Sequence, residues 1–204
     1  MQNLLRNLRF SVRMLLKNPG LTLTVLLTLA LGVGANTAIF TVDYATLLQP
    51  LPYPHPEQLV VVWSKIQGHH NGISAGDYTD WKRENTTFQD LNAWTGRSFN
   101  MATQDQPDKV DGSLVTPGYY KMLGQPFFLG RDFLPEEGQV GRDHEVILTH
   151  GLWKRLGGNL HIIGQPLRLD GEPYTVVGVL QPGVFDRGQG DMAAPLSFTP
   201  EQLN

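Results

Sequence analysis

The chain has no cysteine. That excludes a disulfide framework, a thiol nucleophile and thiolate-ligated zinc, and it is compatible with a location outside the cytoplasm without establishing one. Acidic residues are missing from the first 42 positions, and charge of either sign is missing between Leu21 and Val42. A phosphate-cradling G-x-x-x-x-G-K-[ST] loop is absent too. The nearest string, Gly151 to Gly158, carries Lys154 inside the glycine spacing rather than at its end, so nucleotide hydrolysis is not expected of this chain. Neither Ser113 nor Ser197 sits in a G-x-S-x-G elbow.

What is present begins with the uncharged stretch itself. At about 1.5 Å per residue, a helix over Leu21–Val42 covers roughly 33 Å, enough for a hydrocarbon core of about 30 Å. Thr22, Thr24, Thr28, Asn36, Thr37 and Thr41 interrupt the Leu, Val and Ile residues. Threonine hydroxyls can bond the carbonyl one turn back, whereas Asn36 is expected to seek a neighbouring helix or the interface. Ala30, Gly34 and Ala38 recur every four residues and place three small side chains on one face. That spacing either admits a second helix at close range or reflects the general tolerance of membrane helices for small residues. A cleaved signal peptide is disfavoured, because the apolar region exceeds about 15 residues and no A-x-A site follows.

Charge sets the expected orientation. Arg6, Arg9, Arg13 and Lys17 precede the span and Asp43 follows it, so the N-terminus is expected in the cytoplasm. Leu5, Leu8, Val12 and Leu15 fall on one helical face and the four basic residues on another. The segment 1–20 therefore reads either as a helix on the cytoplasmic leaflet or as one packed on a partner subunit. Residues 43–204, with 12 basic against 19 acidic residues, carry about −7. An acidic domain of this kind is not a nucleic-acid binder.

The expected organisation is a basic segment at 1–20, a transmembrane helix and its extension at 21–48, a proline-rich stalk at 49–57, and a folded domain at 58–204. Gln49 to Pro56 has prolines at alternate positions and cannot form a helix or a central strand. Gln58–Lys65 reads as a buried strand, Gly68–Gly72 as a loop, and Ser74 as the cap of a helix reaching Asn85. Strands are expected over 108–116 and Glu145–Thr149. Short helices are expected after Pro117 and from His150 to Leu156. A hairpin is expected from Pro166–Leu169 and Tyr174–Leu180 around Asp170-Gly171. Strands with short helices between them and no long βαβ units predict an α+β fold.

Candidate chemistry is thin. His69 and His70 are neighbours, so only a loop would let both reach a metal, and solvated histidines are the simpler reading. His144 and His150 bracket a strand. Asp77 and Asp80 lie where a helix dipole favours acids, and Glu136-Glu137 suits a solvated turn. Trp63, Trp81, Trp94 and Trp153 read as core or interface residues. No catalytic, cofactor or metal residue is expected.

The string LLKNPGLTLTVLLTLALGVGANTAIFTVDYATLLQPLPYPHPEQLVVVW resembles the opening of MacB/FtsX-type permeases. GDYTDWKREN, VTPGYYKMLGQPFFLGRDF, VILTHGLWKRLGG and GQPLRLDGEPYTVVGVLQPG resemble successive blocks of their MacB-like periplasmic core domain. The similarity runs from about residue 10 to about 198. It departs at Asp191–Leu196, where the family has an Asp-aromatic-Val-Pro-Leu type stretch. The resemblance implies a bacterial inner-membrane subunit without ATPase activity, working with a separate ABC ATPase and with further permease transmembrane helices. It implies three such helices beyond Asn204, which leaves a fragment, a truncated product or half of a split permease as alternatives. A homo-oligomer is open, and so is a membrane-anchored periplasmic binding or scaffold module that acts without an ATPase.

Overall fold

The computed structural model describes residues 6, 13–44, 53–66, 68–102, 107–183 and 190–203. The chain divides into two compact units, Met1–Pro50 and Leu51–Asn204.

The first unit is dominated by helix α1, Pro19–Asp43, with proline at its first position, where the missing N–H costs nothing. Residues 19–41 have a mean hydropathy of 1.9 and none of the window is buried, so the helix is long and apolar enough to cross a membrane. Its threonines are satisfied internally. The Thr24, Thr28, Thr37 and Thr41 hydroxyls donate to the carbonyls of Gly20, Thr24, Val33 and Thr37 at 2.7–3.0 Å, as expected for polar groups that have no water to turn to.

The second unit is α+β. Strands β1 (Ser64–Ile66) and β2 (His69–Asn71) form a small hairpin, followed by helix α2 (Ala75–Glu84). Ser74 caps α2 by accepting from the Asp77 amide at 3.0 Å, while its hydroxyl donates to the Asp77 carboxylate at 2.8 Å. Then come β3 (Trp94–Ala102), β4 (Pro107–Val115), α3 (Tyr119–Met122), β5 (Phe127–Gly130), β6 (Glu145–Leu148), α4 (His150–Arg155), β7 (Pro166–Leu169), β8 (Glu172–Leu180) and β9 (Met192–Pro195). The large sheet has the order β5-β8-β6-β9-β4-β3-β7, and β7 also pairs with β8. Six strands thus close on themselves, with β5 at the margin.

The pleat explains the core. Val146 and Leu148 of β6, Val176 and Val179 of β8, and Met192 and Ala194 of β9 join Phe99, Met101 and Val110 in one cluster. Ile147, Val177 and Ala193 face the opposite way and pack with Val115, Tyr120, Leu123 and Phe133. Successive side chains point to opposite faces, so strands covered on both sides are apolar throughout rather than alternating.

Three expectations change. Of the expected buried strand, only Ser64 and Lys65 pair, with β1 running on to Ile66; Leu59 is half-buried against the second core cluster, and Val60–Trp63 is exposed. His69–Asn71 is a strand rather than a loop, because Gly68 takes φ +87° in the turn before it. Within the proline-rich segment, Pro56–Gln58 is a 3-10 turn and Tyr53 packs on the second core cluster, so 53–57 lies against the domain. Residues 49–52 of that segment are outside the described residues. The Asp170-Gly171 turn forms as expected, with both residues at positive φ (50° and 90°) and Leu169 opposite Glu172. The Asp191–Leu196 stretch, whose packing the family pattern did not predict, supplies β9, buried at all four positions between β6 and β4.

Candidate functional site

Ala30, Gly34 and Ala38 lie on one face of α1, all exposed. A methyl group at Gly34 would meet nothing within 4 Å. Of the basic residues, Arg6, Arg13 and Lys17 are helical and exposed, while Arg9 lies outside the described residues, as do Leu5, Leu8 and Val12.

In the second unit, a groove of about 540 Å³ opens between three segments: Pro54–Val62, the Phe88–Asn92 loop, and the end of α3 from Lys121 to Gly124. Sequence reasoning missed it, because its walls come from three places in the chain. Each wall is held by identifiable contacts. The Asn85 carboxamide oxygen accepts from the Thr87 and Phe88 amides (3.1 and 2.9 Å) and shapes the loop. Asn92 donates to Asp90 at 3.0 Å and accepts from Thr116 at 3.1 Å, tying the loop to the end of β4. Gly124, at φ +63°, ends α3, and a Cβ there would lie 2.9 Å from Pro54 Cγ, so glycine is what lets the two walls touch. Leu59, Val60, Val62, Leu91, Met122 and Leu123 supply apolar lining to the groove, and His55, Asp90 and Lys121 also line it.

A charged cluster follows β5. Arg131 donates to both carboxylate oxygens of Glu137 at 2.9 and 2.6 Å, and Glu137 also accepts from the Leu134 amide at 2.7 Å. Burial pushes the Glu137 carboxyl up, but the Arg131 bonds and the Leu134 N–H outweigh it and hold the group below its ordinary value. Glu145 goes the other way: burial and then the Glu137 charge raise it, and its Oε2 is buried without a partner. Burial likewise raises Asp132, against amide bonds from Phe133 and Lys121.

Two outcomes follow for stability. Arg131→Ala leaves Glu137, whose side chain is 9% exposed, with a buried charge and should cost about 2 kcal/mol at pH 7, discounted for the half-exposed arginine. That loss should shrink in thermal melts as pH falls through the lowered carboxyl value, where Glu137 protonates. Glu145→Gln should raise Tm at pH 7 and leave it unchanged near pH 4. A carboxyl with a raised folded value contributes stability below its unfolded value and loses it as pH rises.

The other residues weighed from the sequence lie at scattered places in the fold. His69 and His70 are adjacent on β2 and pair opposite Ile66 and Lys65, so their rings project to opposite faces. His144 stacks on Tyr174 at 4.9 Å, and His150 lies between Phe128 and Trp153. Asp77 serves the α2 cap and Asp80 pairs with Arg83 at 2.6 Å. Glu136-Glu137 divides, one side chain in solvent and the other buried against Arg131. Ser113 is buried in β4, and Ser197 donates to Asp143. Trp153 is core and Trp94 half-buried, whereas Trp63 and Trp81 are exposed. The Gly151–Gly158 string is mostly helix α4, with Trp153 in the core.

A model of the MacB-like periplasmic core domain matches residues 22–203, from inside α1 to the end of the described chain. The chain belongs to this family. No curated protein matches it at a significant level. Among solved structures, the extracellular domain of the noncanonic ABC-type transporter YknZ from Gram-positive bacteria is 18% identical. That match covers 60% of this chain and 62% of that one, with a TM-score of 0.50. The periplasmic region of MacB from Actinobacillus actinomycetemcomitans is 16% identical, covering 62% and 56%, with a TM-score of 0.52. The MacB-like chain therefore shares their fold and spans less than two thirds of either domain.

Proposed function

We propose that this MacB-like chain is the anchoring and periplasmic part of an ABC-type permease, with its N-terminus in the cytoplasm and its β-rich domain outside. The observation that carries the reading is the single family match over residues 22–203, which joins a span-length apolar helix to the core domain. The positive-inside asymmetry at Arg6, Arg9, Arg13 and Lys17 supports the orientation. In this reading a separate ATPase subunit hydrolyses ATP, and α1 passes its movement to the outer domain for export or other conformational work. A helix suits that task because its backbone bonds are internal and it moves as a rod.

The absence of native cysteine makes the test clean. With Glu136→Cys in an exposed turn, a membrane-impermeant maleimide should label intact spheroplasts, whereas Gln2→Cys should label only after permeabilisation. The reverse pattern overturns the orientation and the function with it.

The Ala30, Gly34 and Ala38 face is proposed to pack against another permease helix. Gly34→Leu should then reduce co-purification with that partner, because the isobutyl group separates the two backbones. Unchanged association removes this face from the assembly.

A further inference from the structure

Helix α1 is preceded by a second helical stretch. Residues 13–17 are helical, and they are parted from α1 by Asn18, whose backbone lies at φ −126° and ψ 71°. Pro19 is the cause, since its ring forces the preceding residue out of the helical region and its nitrogen carries no hydrogen. In an unbroken helix that hydrogen would bond the Leu15 carbonyl. Here the Leu15 oxygen keeps a long bond of 3.3 Å from the Asn18 amide, and its better donor is the Thr22 hydroxyl at 2.7 Å. That bond reaches back seven residues, across the proline. The hydroxyls of Thr24, Thr28, Thr37 and Thr41 instead bond carbonyls three or four residues back within their own helix.

We infer that Thr22 is the latch of an elbow between the basic arm and the spanning helix. The hydroxyl has one proton and two acceptors within reach, the Leu15 oxygen at 2.7 Å and the Asn18 oxygen at 2.9 Å. The Asn18 oxygen already accepts from the Thr22 amide at 3.0 Å, so the hydroxyl proton is needed more at Leu15. Donated to Leu15, it ties the arm to α1 across the break and holds the two at one angle. Turned to Asn18, the same hydroxyl makes the ordinary bond one turn back, the Leu15 carbonyl passes to water at the membrane surface, and the arm swings about Asn18. The use of the elbow rests on the permease reading: movement delivered to Arg13 and Lys17 would tilt α1 only while the latch is closed. The latch itself requires neither the ATPase nor a particular orientation.

The test uses the full chain in lipid vesicles, diluted with unlabelled chain so that distances are read within one copy. Because the sequence has no cysteine, spin labels at Met14→Cys and Leu31→Cys, both exposed, are the sole labels. Their Cα atoms lie at most about 25 Å apart at a rise of about 1.5 Å per residue, a span that pulsed electron paramagnetic resonance reads. Thr22→Val keeps the shape and removes the hydroxyl, and it should widen the distance distribution roughly twofold as the arm swings about the proline break. Thr22→Ser keeps the hydroxyl and should stay as narrow as the parent. Thr28→Val makes the same exchange at a hydroxyl that bonds only within α1, and it should stay narrow too. An unchanged width in Thr22→Val, a Thr22→Ser chain as broad as Thr22→Val, or equal broadening by Thr28→Val overturns the latch. Any of these outcomes leaves the permease reading to its maleimide topology test, and a reversed topology leaves the width measurement standing.

Discussion

Phe99→Ala is expected to destabilise the β-rich domain by about 4 kcal/mol. The ring is completely buried, meets Tyr174 edge-on at 6.4 Å, and has the Arg97 guanidinium 4.7 Å from its centre. Truncation removes the transfer energy of the ring and leaves a cavity that a sheet closed on itself cannot readily collapse. Thermal unfolding of the chain in detergent, followed by near-UV circular dichroism, should show the loss. The far-UV signal of α1 should persist, since that helix belongs to the other compact unit. Phe99→Leu should cost markedly less, because most of the volume is kept.

Gly112→Ala is expected to cost about 3 kcal/mol and to lower Tm by on the order of 10 °C. Gly112 pairs with Met192 across the parallel contact of β4 and β9. A Cβ there would lie 2.6 Å from the Met192 carbonyl oxygen, 3.1 Å from its Cγ and 3.2 Å from Phe99 Cε2. Side-chain ends can move aside, but the carbonyl belongs to the strand, so relief requires β4 and β9 to separate. Adding Phe99→Ala should rescue only a small part of the Gly112→Ala loss, because the ring is not the obstacle. A full rescue in the double-mutant melt would mean that the ring, rather than the backbone, carries the strain.

Several elements were legible in advance because their causes are local. Ser74 caps the helix that follows it, and Asp170-Gly171 makes the only two-residue turn that needs two positive φ angles in a row among the described hairpins. The paired walls of the groove were not legible. Gly124 reads as a helix stop, and nothing adjacent to it in sequence announces Pro54 as its neighbour. The Asp191–Leu196 stretch was opaque for a related reason. Four residues covered on both faces show no period-two pattern, so Met192–Pro195 carries no sign that it is the strand joining β6 to β4. The run at Leu59–Trp63 misled in the opposite direction, since composition reports that a segment favours burial and not whether a mate is within reach.

The sequence by itself determined the apolar span, the charge step across it, the α+β class and the family, because hydropathy, net charge and ordered motif blocks are properties of the chain read in one dimension. Only the tertiary structure decided that the sheet closes through β7 and β8, that Arg131 neutralises a buried Glu137, and that the backbone of Val60 to Val62 finds no hydrogen-bond partner among the described residues. Each of those depends on which distant segments meet. Pairing across such separations is chosen by the packing of the whole domain, a selection that no local window of residues contains.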